Sequence, residues 1–336
     1  MIQDAISTVL VGTMLAASTG VVGASVVAMG VISFPVMLKY GYSKELSAGT
    51  ICAAGTLGQI IPPSIVLIIL GDVFQLPVGD LFHAALVPGL ILVGSYVVYI
   101  LSASYLAPNL APAIIVPAEE KKGSLQRALI AIAPPMTLIV LVLGSIFAGV
   151  ATPTESASVG AFGAMLLAAM YRRLSWRILM DSCLETVRIT AMVFAILIGA
   201  TAFSMVFVYT GADALVEGFM TGLPGEKWVF LFLSMSTIMF LGFFIDFIEI
   251  SYIVVPILLP IADTVEIKPM WFAVLIAMNL QSSFLTPPFG FSLFYLKGVC
   301  PPEVRTVDIY KGVLPFILIQ VMVLLTIVIF PHLYGF

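Results

Sequence analysis

The chain has 336 residues, of which 61% are hydrophobic and 10% charged; because an ordinary soluble domain is about 25% charged, this composition excludes a soluble globular protein. The formal net charge of −4 is small beside that apolar content, and the sequence contains no basic run with interleaved aromatic residues, which argues against a nucleic-acid partner. Apolar stretches of about 20 residues, enough to cross a bilayer, recur along the chain and predict an all-α, polytopic membrane protein.

Apolar runs between polar or glycine- and proline-rich breaks define the candidate helical segments. In chain order they are 5–18, 24–38, 46–70, 84–107, 128–149, 157–171, 187–209, 228–244, 250–262, 270–296 and 312–331. Two pairs of these segments are too short to cross the membrane comfortably, and each pair surrounds a few small or polar residues. We therefore predict two re-entrant helical hairpins, at 5–38 and 228–262, each entering and leaving on one side.

The first repeat is predicted over 1–80 and combines the hairpin 5–38 with a broken helix at 46–70. Proline lacks a backbone N–H and disfavours helix at the preceding residue, so the pair Pro62 and Pro63 is expected to interrupt that helix within the membrane. Small and oxygen-bearing residues gather at the hairpin tip and before the prolines. They are Ser18, Thr19, Gly20, Gly23, Ser25, Gly55, Thr56, Gly58 and Gln59.

Connecting transmembrane helices are predicted over 81–210, with a solvated cytoplasmic loop at 108–127. Within this region the motif ATPTES at 151–156 is typical of a helix start. Thr152 is the expected N-cap, Pro153 the first helical residue and Glu155 the partner that closes a capping box. Its role is expected to be local.

The second repeat is predicted over 211–300, with a hairpin at 228–262 and a broken helix at 270–296; a C-terminal transmembrane helix follows in 301–336. The pair Pro287 and Pro288 interrupts the broken helix. The polar residues before it are Asn279, Gln281, Ser282, Ser283 and Thr286. Asp246 and Glu249 form an acidic pair at the predicted hairpin tip; intramembrane carboxylates favour a functional site, although a tip that reaches water would leave both merely solvated.

The two units are related by a constant shift of 225 residues, which places Pro35 on Pro260 and the first proline pair on the second. With both hairpins treated as same-side excursions, 12 Lys and Arg residues fall on one side of the membrane and 2, Lys227 and Lys268, on the other. Because cytoplasmic loops carry the excess of basic residues, the majority side is predicted to be cytoplasmic. The units then open to opposite sides, and the repeat is predicted to be inverted.

Paired, interrupted apolar segments in two inverted halves indicate a transporter's binding site. Backbone groups released at each break need partners, and at membrane depth such a break is tolerated only inside protein or along an aqueous cavity. Half-helix N-termini can face an anionic substrate group, while unwound carbonyls and C-terminal helix ends can bind Na+. The alternative is that the Gly, Ser and Thr residues are ordinary small-residue helix contacts.

Four motifs resemble the large membrane subunit of tripartite ATP-independent periplasmic (TRAP) transporters: VLVGTMLAASTGVVGASVVAMG, GTLGQIIPPSIVLIILGD, GVATPTESASVGA and NLQSSFLTPPFGFSLFYLKGV. The resemblance covers essentially the whole chain. It implies a sodium-driven elevator transporter of a bacterial inner membrane, surrounded by lipid, which takes an organic acid from a periplasmic binding protein and works with a small four-helix membrane subunit. It also implies sodium sites within Ser18–Ser25, Gly55–Pro63 and Asn279–Pro288, and no other cofactor.

Two features depart from the family pattern. Several scaffold helices that usually precede the first hairpin are absent, so the chain is expected to be a core that lacks its N-terminal scaffold. The segment GFFIDFIEI resembles the branch labelled mannitol/chloroaromatic compound transport. A binding-protein-independent, ion-coupled carboxylate symporter is the closest rival function, whereas an enzyme is not expected, because the sequence contains no intramembrane-hydrolase motif such as GxGD or HExxH.

Overall fold

The computed structural model describes residues 8–9, 11–16, 20–107, 110, 124–222 and 225–336. Within these ranges every regular element is helical, which confirms the all-α fold class. In chain order the helices are α1 Val22–Lys39, α2 Lys44–Thr56, α3 Ile65–Val73, α4 Val78–Leu106, α5 Ser124–Phe147, α6 Pro153–Met170, α7 Trp176–Tyr209, α8 Ala212–Thr221, α9 Glu226–Leu241, α10 Phe247–Thr264, α11 Pro269–Leu285, α12 Phe291–Val299 and α13 Thr306–Ile329. Residues 8–9 and 11–16 are also helical.

Among the described helices, α1, α4, α7, α10 and α13 are long and apolar enough to cross a membrane. This confirms the prediction of a polytopic membrane protein. Re-entry of the two hairpins stays a prediction.

The chain divides into two compact units. The larger comprises Met1–Ile114 together with Ala200–Phe336, and the smaller is Ile115–Gly199. In the smaller unit α5 packs against α6, and the hydroxyls of Ser145 and Ser156 share a hydrogen bond of 2.8 Å. These units differ from the division predicted from sequence, which had boundaries at residues 80, 210 and 300. That division was based on the internal repeat, whereas the two units reflect the contacts between residues.

The start of α6 follows the predicted capping box. Thr152 Oγ1 accepts a hydrogen bond from the backbone N–H of Glu155 at 3.3 Å, and Glu155 Oε2 accepts one from the N–H of Thr152 at 2.8 Å. Two N–H groups that lack an intrahelical partner are thus satisfied, and Pro153 is the first helical residue. The predicted capping box is confirmed.

Two helices form the centre of the larger unit. Every residue from Leu46 to Thr56 in α2 and from Trp271 to Leu285 in α11 is buried. A helix that is enclosed on all sides must be apolar or small around its whole circumference, and α2 meets this requirement with Ala, Gly, Thr and Cys. Helices α1, α4, α9, α12 and α13 pack around this central pair.

The closest helix crossing lies between α2 and α13. A Cβ atom added to Gly49 would collide with the carbonyl oxygen of Gly312, and one added to Gly312 would collide with the carbonyl oxygen of Glu45. Small residues allow membrane helices to approach until their backbones touch, which increases van der Waals contact. Glycine is therefore required on both sides of this crossing.

Helix α7 begins well before the segment 187–209 that the apolar run predicted. Its first part carries Arg177, Asp181, Glu185 and Arg188, which form exposed ion pairs one helical turn apart. Such pairs suit a solvated helix face. The helix therefore begins about a dozen residues before its apolar part. The apolar run predicted only the part of the helix that can cross the membrane.

Helix boundaries recur at the 225-residue shift found in the sequence. Helix α1 spans Val22–Lys39 and α10 spans Phe247–Thr264, so both ends match without a gap. Helices α2 and α11 begin at Lys44 and Pro269, again 225 residues apart. The described helical residues 11–16 correspond to the end of α9 at Leu241. The two parts of the chain therefore form the same sequence of helices.

Candidate functional site

Both buried central helices are interrupted at their proline pairs. After α2, a 3₁₀ turn at Leu57–Gln59 leads into a non-helical segment, and the helix resumes as α3 at Ile65. Helix α11 ends at Leu285 and resumes as α12 at Phe291. A cis peptide bond joins Pro62 to Pro63, and another joins Pro287 to Pro288.

Serine hydroxyls satisfy equivalent carbonyl groups at the two breaks. Ser64 Oγ donates to the carbonyl of Gln59 at 2.6 Å, and Ser292 Oγ donates to the carbonyl of Phe284 at 2.8 Å. Gln59 and Phe284 are 225 residues apart, so the same carbonyl is paired in both repeats. At the second break Tyr310 Oη also donates to the carbonyl of Pro288, at 2.6 Å. The two serine bonds are buried and remove the cost of burying unpaired backbone acceptors.

The start of α1 packs directly on the first break. Ser25 Oγ donates to the carbonyl of Gly55 at 3.0 Å, and Val26 occupies the space that a Gly55 side chain would need. A Cβ on Gly58 would collide with the carbonyl of Ala16, and one on Gly20 would touch Ile65 of α3. Four of the predicted residues therefore form the contact between the first hairpin and its broken helix.

Gly23 lies on a different contact, between the first hairpin and the second repeat. A Cβ on Gly23 would approach the ring of Tyr295 in α12 to 2.8 Å. Helix α1 packs along α12, while the start of α10 packs against α3. Each hairpin thus touches the broken helix of the other repeat.

The tip of the second hairpin lies on the second break. Gly242 is so close to Ser283 that a Cβ there would overlap the serine side chain. Asp246 is the N-cap of α10 and its Oδ1 accepts a hydrogen bond from the N–H of Phe247 at 2.7 Å. Asn279 Nδ2 donates to the carbonyl of Met235 in α9 at 2.7 Å. The second break is therefore held by the hairpin beside it, as the first one is.

Glu249 differs from Asp246. Its Oε2 is buried and has no hydrogen-bond partner within the described part of the chain. The next residues, Ile250–Val254, form a π-helical turn, an irregularity that occurs often at functional sites. Both carboxylates are partly buried, so the interpretation that the hairpin tip simply exposes them to water does not describe Glu249.

The predicted hydroxyl residues around the breaks donate to their own helices. Thr56 Oγ1 donates to the carbonyl of Ala53 at 2.9 Å. The hydroxyls of Ser282, Ser283 and Thr286 donate to carbonyls three or four residues earlier, at 2.7–3.0 Å. Because a hydroxyl also has acceptor lone pairs, these bonds leave its oxygen able to bind a cation.

Two glutamines near these breaks have buried amide groups that the described residues leave without partners. Gln59 is 1% exposed and Gln281 0%, and the amide nitrogen and oxygen of each have no hydrogen-bond partner among the described residues. Buried polar side chains in proteins are nearly always paired. The amide of Gln320 in α13 is equally buried and without a partner in the described part of the chain, so it is the location of Gln59 and Gln281 beside the breaks that makes their amides candidate ligands for an ion or polar group.

Ser18 and Thr19 lie outside the described residues. Sequence reasoning did not identify Ser64 and Ser292, the carbonyl-capping serines. Ser64 directly follows the first proline pair and could have been found as the N-cap of α3, whose first turn it caps by accepting from Leu67 N at 3.3 Å. Ser292 corresponds to Leu67 rather than Ser64 at the 225-residue shift, so the repeat conceals it.

The described residues contain no group of three or more His, Cys, Asp or Glu side chains that could hold a metal. The arrangement instead offers carbonyls, hydroxyls and amides. These uncharged oxygen donors suit a weakly held monovalent cation.

Comparison with known proteins gives a consistent result. The family model for the DctM component of the tripartite ATP-independent periplasmic transporter matches residues 4–333. The chain is 31% identical to a C4-dicarboxylate TRAP transporter large permease protein of Pseudomonas aeruginosa, over 97% of this chain and 75% of that protein. It is 30% identical to an isethionate TRAP transporter permease of Oleidesulfovibrio alaskensis, over 96% of this chain and 50% of that one.

A sialic acid TRAP transporter permease of Haemophilus influenzae is 29% identical over 92% of this chain and 49% of its own length. The chain thus spans three quarters of the first relative and about half of the other two. All are named as transport permeases, not as enzymes. Since the family model covers nearly every residue, the chain belongs to the DctM-component family of tripartite ATP-independent periplasmic transporters.

Proposed function

We propose that the chain is the large permease subunit of a sodium-coupled TRAP transporter, which imports an organic acid across a bacterial inner membrane. In this proposal a periplasmic binding protein delivers the substrate and a small membrane subunit completes the transporter. Family membership and the relatives named for C4-dicarboxylates and sialic acid support the proposal. The observation that carries the sodium part is the pair of buried, unpartnered amides of Gln59 and Gln281.

Sodium fits these positions for a physical reason. A cation that enters the membrane must exchange its hydration shell for protein oxygens of similar strength. Gln59 belongs to the 3₁₀ turn at the first break, and Gln281 lies in the buried C-terminal part of α11, which leads into the second break. Ion binding there would satisfy buried polar groups, so it would stabilise the folded chain.

The organic acid has a complementary place. Helices α3 and α12 begin at the two breaks, and a helix N-terminus carries a partial positive charge and free N–H groups. A substrate carboxylate at a break would gain hydrogen bonds there without a buried basic side chain. The family's elevator mechanism would then move ion and substrate together.

Sodium binding can be tested on the purified full chain by its melting temperature in NaCl and in KCl at equal ionic strength. We expect Na+ to raise the melting temperature, because it binds the folded state. The Gln281→Leu variant should lose the sodium-specific increase. In KCl it should melt at or above the temperature of the unmodified chain, since an unpaired buried amide is replaced by an apolar group of similar size.

The exposed-loop variant Gln75→Leu is the control and should keep the full sodium effect. A Gln281→Leu variant that responds to Na+ as the unmodified chain does would assign Gln281 to packing. If Na+ and K+ act alike on the unmodified chain, sodium coupling is wrong.

A further inference from the structure

A cavity of about 340 Å³ lies where the second hairpin meets the second break. Its lining residues in the described part of the chain are all phenylalanines: Phe243, Phe244, Phe289, Phe291 and Phe294. Pockets for small molecules are typically about 300–1,000 Å³ and mostly apolar. We call this cavity the phenylalanine pocket.

The two sides of the phenylalanine pocket come from different elements. Phe243 and Phe244 belong to the hairpin tip, while Phe289 and Phe291 flank Gly290 at the break. The rings of Phe244 and Phe289 meet across the junction with centroids 5.3 Å apart, in the range of favourable aromatic pairs. The wall is therefore assembled by the same contact that joins the hairpin to the broken helix.

Comparison of the two repeats shows that this aromatic lining is specific to the second one. At the 225-residue shift, Phe243, Phe244 and Phe289 correspond to Ser18, Thr19 and Ser64. Three of the five ring positions thus carry a hydroxyl side chain in the first repeat, while Phe291 and Phe294 correspond to the aliphatic residues Val66 and Ile69. None of the five equivalent positions in the first repeat is aromatic.

Membrane lipid is a poor occupant for this pocket. Phe289 belongs to the unwound segment 286–290, and non-helical backbone at membrane depth is tolerated inside protein or along a water-filled cavity but not against hydrocarbon. Phe244, Phe289 and Phe294 are nevertheless 52%, 60% and 74% exposed. The rings therefore offer substantial apolar area to a small molecule that reaches the break through water.

We propose that the phenylalanine pocket binds the aromatic ring of an organic anion, so that the substrate is an aromatic carboxylate rather than a small aliphatic diacid. This inference rests on the proposed transport function and adds the substrate class. The ring would stack on the phenylalanine side chains, and the carboxylate would lie beside the first turn of α12, which begins at Phe291 in the same wall.

The test uses the purified full chain in nanodiscs containing NaCl and measures the melting temperature with phenylacetate or acetate as probe. Phenylacetate should raise the melting temperature and acetate should not, because acetate lacks the ring. Phe289→Ser and Phe244→Thr, which introduce the residues of the first repeat, should each weaken phenylacetate binding about tenfold or more, as the loss of buried ring area implies.

The matched control is Phe232→Ser, at a 71% exposed ring on α9 that does not line the pocket; it should bind phenylacetate as the unmodified chain does. Equal shifts with acetate and phenylacetate would overturn the proposal, as would full phenylacetate binding by both pocket variants. The pocket proposal and the sodium proposal fail in different ways. If phenylacetate binds but Na+ has no specific effect on the melting temperature, the pocket is supported and the sodium coupling is wrong. If Na+ stabilises the unmodified chain and every variant but phenylacetate binds to none of them, the sodium coupling is supported and the pocket proposal is wrong.

Discussion

At the scale of single residues, composition predicted a candidate site region but not the contacts that each side chain makes. Gly20, Gly55 and Gly58 were predicted as small residues around a binding site, and each proves to be a point where another element approaches closely. Gln59 and Gln281 resemble other buried polar residues in sequence, and they stand out in the structure because they combine unpartnered amides with a place beside the breaks. The atoms that approach a glycine, and the hydrogen-bond partners that a buried glutamine finds, belong to the neighbouring helix. A single sequence does not specify which helix that is.

Gly58 gives a prediction at this scale. A Gly58→Ala change would place a methyl group against the backbone carbonyl of Ala16, which cannot rotate away as a side chain can. Overpacking of this kind costs about 1–3 kcal/mol, so we expect a lower free energy of unfolding in a denaturant titration and a weaker sodium effect on the melting temperature.

Gly94→Ala is the control for Gly58, because a Cβ at Gly94 meets nothing within 4 Å. This variant should be as stable as the unmodified chain. Equal stability of the Gly58 variant would show that the hairpin moves aside without cost.

At the scale of elements, the sequence predicted both broken helices and their proline pairs, since proline acts on local backbone geometry whatever surrounds it. It placed the start of α7 too late, because an apolar run records the contact with lipid and not the extent of backbone hydrogen bonding. The short helix α8 was missed for a related reason: its ten residues include Asp213 and Glu217 and are not apolar enough to form a run.

The crossing of α2 and α13 predicts a second structural effect. Gly312→Ala should separate these helices, because the added methyl group would overlap the carbonyl of Glu45. The central helix α2 depends on this contact, so we expect a loss of about 1–3 kcal/mol or more in unfolding free energy, measured in the same denaturant titration.

Gly298→Ala in α12 is the comparison, since a Cβ there meets nothing within 4 Å. A Gly312 variant as stable as this one would contradict the close backbone contact.

At the scale of the whole molecule, the 225-residue shift extends well beyond the two proline motifs that revealed it, to the ends of α1 and α10 and the starts of α2 and α11. The inverted orientation still depends on the distribution of Lys and Arg. That rule concerns insertion into a charged membrane, and the packing of helices against one another is independent of it.

The orientation can be tested in whole cells by cysteine labelling with a membrane-impermeant maleimide. The background would carry Cys183→Ser and Cys300→Ser, because these two cysteines are not buried. Lys268→Cys, in the second repeat, should react in intact cells, and Lys39→Cys, at the exposed end of α1 in the first repeat, only after the membrane is opened. Reaction of both in intact cells, or of neither, would place the two repeats on the same side and contradict the inverted repeat.

The crossed contacts between α1 and α12 and between α10 and α3 have a thermodynamic consequence. If the proposed ion and substrate bind at the two breaks, we expect their free energies of binding to be coupled, because each hairpin contacts the broken helix of the other repeat. Coupling of this kind is reciprocal: the factor by which the ion raises the affinity for the substrate equals the factor by which the substrate raises the affinity for the ion. Binding in one repeat would then change the affinity of the other.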